Sequence, residues 1–200
     1  MAETLEFPRQ KRPGGRTAEV TRRINQAILE LLADGGIEAC TFQNVANRAN
    51  VDRSTLYRRN ADRWPAIIDA IIELAERETA PFSAGSFRED LTATLLSLAR
   101  VLNGPMGPAL IQVAGALQSG VAPGQGERFW ASRRQLLAPM FDAAIERGEL
   151  PADTDRDKLF AMAAGPIYFR KFIASQPLMD GWVRTVVDQI CDRYLVPNRG

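Results

Sequence analysis

The stretch VANRANVDRSTLYRRNADRW, Val45 to Trp64, decides the fold. It sets Arg48, Arg53, Arg58, Arg59 and Arg63 around one short apolar pattern. Thr41 is placed to cap a short helix over 42–48, with Val45, Ala46 and Ala49 facing inward. Asn50-Val51-Asp52 reads as a tight turn, and Asp52 as the cap of a second helix over 53–59. Two short helices joined in this way make a helix-turn-helix. At about 100° per residue, Arg53, Ser54, Tyr57 and Arg58 fall within one arc of roughly 140°. Leu56 falls outside it and is expected to pack on Val45, Ala49 and Val51. The outward arc carries no acid between Arg53 and Ala61. Guanidinium forks, hydroxyls and a phenol suit phosphate oxygens and guanine edges.

Working outward, the chain reads as helix nearly throughout. Val20, Ile24, Ala27, Ile28, Leu31 and Leu32 recur at helical spacing over 17–34 and stop at Gly35-Gly36. A fourth helix begins near Asp62, tolerates Pro65 in its first turn, and breaks at Pro81. Its stripe is Ile67, Ile68, Ile71, Ile72, Leu74 and Ala75. Five more helices are predicted near 86–102, 106–118, 125–147, 156–175 and 179–195. Gly104-Pro105, Pro123-Gly124, 148–151 and Pro177 separate them. Kinks are expected at Pro139 and at Gly165-Pro166. The fold class is all-α, with about nine helices.

Composition narrows the function. The chain has 200 residues and a net charge of +1. Residues 1–63 carry 11 Lys/Arg against 8 Asp/Glu, and residues 64–200 carry 14 against 16. The basic end is therefore the one suited to a polyanion. There is no His, and the two Cys, Cys40 and Cys191, lie far apart. This argues against a disulfide framework and a Cys/His metal site. No Ser elbow, phosphate loop or metal-spaced acid cluster is present, so no enzyme, cofactor or metal is expected. Asp153, Asp155 and Asp157 read as a helix-capping loop. The N-terminal residues have no apolar run, which predicts neither signal peptide nor anchor. No membrane is expected, and a reducing cytoplasm is the simple expectation.

The stretch resembles the TetR family of bacterial transcriptional regulators. The resemblance rests on Thr41, Val45-Ala46, Ala49, Val51, Ser54-Thr55-Leu56-Tyr57 and Asp62-Arg63. Asn50 stands where the family usually has Gly, Asp52 where it has Ser, and Asn60 where it has Phe. Asn tolerates the left-handed turn, Asp caps as Ser does, and Trp64 is expected to fill the space left at Asn60. Residues 1–15, with Pro8, Pro13, Gly14 and Gly15, read as a flexible basic arm, and the resemblance implies a DNA-binding domain over 16–62 and a ligand-binding and dimerisation domain over 63–200. It implies phosphate contacts from Thr41, Tyr57 and Arg63. Arg53, Ser54 and Arg58 are candidates for the major-groove floor, with Gln43 and Thr55 beside them. Lys11, Arg12 and Arg16 are candidates for an adjacent phosphate or minor groove. Arg22, Arg23 and Arg48 read as surface residues instead.

The C-terminal half resembles one TetR subgroup at Arg-Gly-Glu-Leu-Pro 147–151, Ala-Gly-Pro-Ile-Tyr-Phe-Arg 164–170 and Gln-Pro-Leu 176–178. The last two helices would then pair with a partner's copies in a four-helix bundle. Their apolar stripes are the candidate interface. They comprise Leu159, Met162, Ile167 and Phe169 on one helix, and Trp182, Val183, Val186, Val187, Ile190 and Tyr194 on the other. Kinked helices leave room for an effector. Its candidate walls are Met106, Leu110, Val113, Phe129 and Trp130, then Arg133, Leu137, Met140, Phe141, Phe160 and Tyr168. These are mostly apolar or aromatic, so a hydrophobic or aromatic small molecule is expected. The implied function is a repressor that binds a near-palindromic duplex operator as a homodimer and is released by that effector. The alternative is a helical interaction module without specific DNA binding.

Overall fold

Side-chain caps and Gly or Pro breaks set where each helix starts and stops. The computed structural model describes residues 15–60, 62–78 and 85–196. Among them run α1 (Gly15–Ala39), α2 (Phe42–Ala49), α3 (Arg53–Arg59), α4 (Arg63–Glu78) and α5 (Phe87–Asn103). Then follow α6 (Met106–Gln118), α7 (Gln125–Glu146), α8 (Arg156–Tyr168), a π-helical turn (Phe169–Ile173) and α9 (Asp180–Tyr194). Among the described residues no helix is long and apolar enough to cross a membrane.

Thr41 Oγ1 accepts from the Asn44 amide at 3.1 Å, and Asp52 Oδ1 from the Ser54 amide at 2.8 Å. Ser86 and Glu89 form a reciprocal pair at the start of α5. Asp155 caps α8 through the Lys158 amide at 3.0 Å. Each satisfies a donor that a helix N-terminus leaves open. Asn50 closes α2 in the left-handed conformation, φ 51°, as its place in the turn requires.

Two boundaries differ from the sequence expectation. α1 does not stop at Gly35-Gly36. It breaks its geometry at Gly36, φ 65° and ψ −160°, and resumes helical hydrogen bonding to Ala39. The break frees the Ile37 amide, which donates to Gln112 Oε1 on α6 at 3.2 Å. The helix expected over 156–175 instead changes pitch after Tyr168. Pro166 has no amide proton for the α-ladder. Shortly beyond it the bonding widens, with the Ala174 amide donating to the Phe169 carbonyl at 2.9 Å. Pro81 lies outside the described residues.

Two apolar clusters hold the chain. The first joins α1–α4 around Ile28, Leu32, Leu56, Ile67 and Ile68, and takes Ala109 and Val113 from α6. Leu56 is fully buried with Val45 and Ala49, so the helix-turn-helix has its own apolar anchor. Trp64 is buried in the same cluster, near the chain position where Asn60 withholds an apolar side chain. The second joins α5 and α7–α9 around Phe87, Leu91, Leu95, Met140, Leu159 and Val183. Each such side chain contributes on the order of 1.5–3 kcal/mol by burial. Cys40 and Cys191 are both buried free thiols, one in each cluster. Burial pushes each up to about 11, so neither is a thiolate at neutral pH.

The second cluster takes in most of the expected dimer stripe. Leu159, Ile167, Val183, Val186, Val187 and Ile190 are buried within the single chain. α9 lies on α5 and on α8, so its most apolar face is turned inward. Of the expected interface only Met162 and Phe169 are exposed, while Trp182 and Tyr194 are half-buried. Ile173 and Met179, absent from the expectation, are exposed beside them in sequence.

Candidate functional site

The outward face of α3 is held ready by contacts across the turn. Arg53 Nη1 donates to Gln43 Oε1 at 3.2 Å, and its Nη2 donates to the Tyr57 hydroxyl. The Arg53 guanidinium also lies over the Tyr57 ring, 5.0 Å from its centroid. Phe42 meets that ring edge-on at 4.8 Å. Tyr57 is thus gripped from two sides yet half exposed, at 51%. Ser54 and Arg58 are exposed, while Thr55 is half-buried. The Ser54 hydroxyl and then its amide hold the Asp52 carboxyl below the usual range. The acid next to the basic face is therefore tied to the helix start. Thr41 is exposed, and its hydroxyl proton stays available although its oxygen caps α2.

Other basic residues are engaged inside the unit. Arg63 Nη1 donates to the Ile37 carbonyl at 3.1 Å, and its guanidinium lies 5.7 Å from the Trp64 ring. It braces the end of α1 opened at Gly36. Arg23, expected on the surface, donates to the carbonyls of Ala49 and Asn50 and closes the C-terminus of α2. Sequence reading missed this, although a left-handed helix end leaves carbonyls needing donors. Arg48 pairs with Glu30 and Asp34, both at 3.2 Å, fastening α2 to α1. Lys11 and Arg12 lie outside the described residues, and of Arg16 only the helical backbone is described.

Behind the basic unit lie two cavities. The inner one, about 550 Å³, is walled by Ile68, Ile71 and Leu74 of α4 and by Leu98, Val101 and Leu102 of α5. Leu110, Val113 and Leu117 of α6, and Phe129, Trp130 and Arg133 of α7, complete it with Tyr168 and Phe172. The outer one, about 680 Å³, lies between α7 and α8 against Leu137, Phe141, Phe160 and Tyr168. Both have the size of small-molecule sites. Met106 and Met140 line neither. Met140 is fully buried, its sulfur 4.0 Å from the Thr94 hydroxyl, and Met106 packs against the first core cluster. Sequence reading missed the α4 wall, because its stripe serves two neighbours. Ile67 packs in the core, while Ile68 and Ile71 reach both core and cavity.

α4 therefore touches both regions. Arg128 on α7 pairs with Asp69 of α4 and faces the Pro65 carbonyl at 3.5 Å. The Asn25 amide of α1 donates to Glu73 of α4. A shift of α4 at the cavity would be felt at α1.

The profile of the bacterial regulatory proteins, tetR family, matches residues 24–59. That of the tetracyclin repressor-like C-terminal domain matches residues 82–190. The HTH-type transcriptional regulator YdeS of Bacillus subtilis (strain 168) is 27% identical over 179 residues, covering 88% of this chain and 90% of YdeS. The DNA-binding transcriptional repressor TetR of Mycobacteroides abscessus is 29% identical over 175 residues, covering 81% of this chain and 86% of that protein. The crystal structure of the TetR family transcription regulator SCO0332 superposes with a TM-score of 0.75 at 29% identity, covering 87% of this chain and 97% of that one.

Proposed function

The chain belongs to the TetR family of helix-turn-helix DNA-binding transcriptional regulators, which are not enzymes, and we propose that it acts as an effector-released repressor. In this reading a cytoplasmic homodimer holds a near-palindromic operator and lets it go when a small hydrophobic or aromatic molecule enters the inner cavity. Residues 16–62 form the reading head, and 63–200 hold the effector and the partner. The observation that carries the reading is the acid-free face of α3, where Gln43 and Tyr57 pre-orient Arg53. Pre-orientation lowers the ordering cost of a bidentate contact to guanine or phosphate. Repression is supported by the likeness to the DNA-binding transcriptional repressor TetR of Mycobacteroides abscessus.

Release follows from the position of α4. An effector lying against Ile68, Ile71 and Leu74 favours the arrangement of α4 that fits it. The two recognition helices of a dimer must fit two grooves at once, so a change in their separation disfavours the bound state. The helical-interaction alternative has no use for an oriented Arg53-Tyr57 pair. An anisotropy titration of a selected operator tests the choice. Arg53→Ala should weaken binding by about 1–3 kcal/mol, and Tyr57→Phe by about 1 kcal/mol. Unchanged affinity in both variants would move the reading face elsewhere.

A further inference from the structure

Asn47, Gln43, Arg53 and Tyr57 form one polar line across the turn between α2 and α3. Gln43 Nε2 donates to Asn47 Oδ1 at 2.9 Å, one helical turn along α2. Gln43 Oε1 accepts from Arg53 Nη1 at 3.2 Å, and Arg53 Nη2 donates on to the Tyr57 hydroxyl. These bonds fix the Gln43 amide in one sense. The reverse would set its amino group against the guanidinium, donor to donor. α2 anchors both ends of the line, because Asn47 holds Gln43 and Phe42 meets the Tyr57 ring edge-on. All four polar side chains are exposed.

Arg53 differs from its neighbours in what holds it. Its partners are an amide oxygen, a hydroxyl and a ring face, so they orient the guanidinium without neutralising it. Arg22 and Arg48, by contrast, answer carboxylates. The bonds at both Nη atoms also fix the plane of the guanidinium as well as its place. A phosphate oxygen can be met from many directions and needs no such fixing. The O6 and N7 of guanine lie in one plane and reward a fork already held in it.

We propose that Gln43 and Asn47 are positioning residues that aim Arg53 at the O6/N7 edge of one guanine in each half-site. Side chains of α2 then set the preference for a base that they need not touch. This rests on the reading of α3 as the DNA-reading face. It goes further in committing Arg53 to a base instead of a phosphate, and in making Gln43 act through Arg53.

A labelled duplex carrying the site selected from the source genome tests it by anisotropy, together with duplexes in which each base pair is replaced in turn. Arg53→Ala should erase a preference of about tenfold or more at one G·C pair per half-site. Gln43→Ala should weaken the preference at that same pair by about threefold or more, the scale of coupling between contacting residues, and leave the other pairs unchanged. Asn47→Ala should act in the same direction. Gln43→Glu keeps the acceptor and should keep the preference, while its charge lowers affinity for every duplex. In the Arg53→Ala background, Gln43→Ala should alter no base preference. A Gln43→Ala effect at another pair, an effect that persists without Arg53, or an equal loss at every pair overturns the positioning role and leaves the α3 reading standing. Asn47→Ala indistinguishable from wild type removes Asn47 from that role. An equal loss at every pair in Arg53→Ala overturns the guanine assignment and makes the contact one to phosphate. Failure to select any site, or unchanged affinity in both Arg53→Ala and Gln43→Ala, overturns the α3 reading with it.

Discussion

Tyr57, Asp52 and Thr41 show how single side chains shape the surface of the helix-turn-helix. Tyr57 is held by Phe42 and Arg53 instead of swinging free. Thr41→Ala should remove the α2 cap and lower stability by about 1 kcal/mol, measured by urea unfolding. Asp52 adds a pH signature. Its pKa is lowered in the folded chain by the Ser54 hydroxyl and amide. The stabilisation is therefore present above the unfolded carboxyl range and lost as pH falls through the lowered value. Asn caps as well as Asp but does not titrate. The melting temperature of wild type relative to Asp52→Asn should fall on acidification, and a flat difference would show that the cap carries no charge dependence. That Arg53, Ser54, Tyr57 and Arg58 face outward and Leu56 inward was legible from residue type and helical angle alone. The uses of Arg23 and Arg63 were not, because both answer carbonyls exposed by backbone breaks distant in sequence.

Between helices, the contact of α6 with α1 is built around the break at Gly36. Gly36 has φ 65° and ψ −160°, which an L side chain adopts only under strain, and the Gln112 side chain occupies the space a Cβ would take. Gly36→Ala should therefore cost about 1–3 kcal/mol. Gln112→Ala should loosen the Ile37 amide, and hydrogen exchange there should quicken. A second tie lies at Glu149. Its carboxylate accepts from the Phe87 amide and from Arg147 Nε, each within 2.6 Å, and its carbonyl accepts from Val196. Burial alone would raise its pKa, but the Arg147 and Phe87 bonds prevail and lower it. Glu149→Gln should cost about 1–3 kcal/mol in a denaturant titration. Helix positions were readable because Gly-Pro pairs and the Gly148–Pro151 turn punctuate the chain. What each stripe packs against was not, since an apolar stripe reports burial and not its partner. That is why the α8 and α9 stripes, expected between subunits, lie against α5.

For the whole molecule, the proposed homodimer would use what those stripes leave exposed. Phe169 is 62% exposed, Ile173 71% and Met179 61%, with Met162 nearby on α8. A stable interface needs roughly 1,200–2,000 Å² of buried surface, and exposed apolar side chains of this size suit its centre. Phe169→Asp with Ile173→Asp should give a monomer by light scattering at micromolar concentration, while helicity stays unchanged. A dimer surviving both changes would place the interface on another face. Two-fold pairing would then set the spacing of the two α3 helices, and with it the separation of the operator half-sites.

Selection of binding sites from fragments of the source genome, repeated over a salt series, tests the central claim most directly. A sequence-specific dimeric regulator predicts a near-palindromic site. Its affinity should fall with salt at a logarithmic slope of about 0.9 per phosphate contacted, and it should fall further in Arg53→Ala. Weak binding without a preferred or symmetric sequence would contradict it and leave α3 as a generic basic surface.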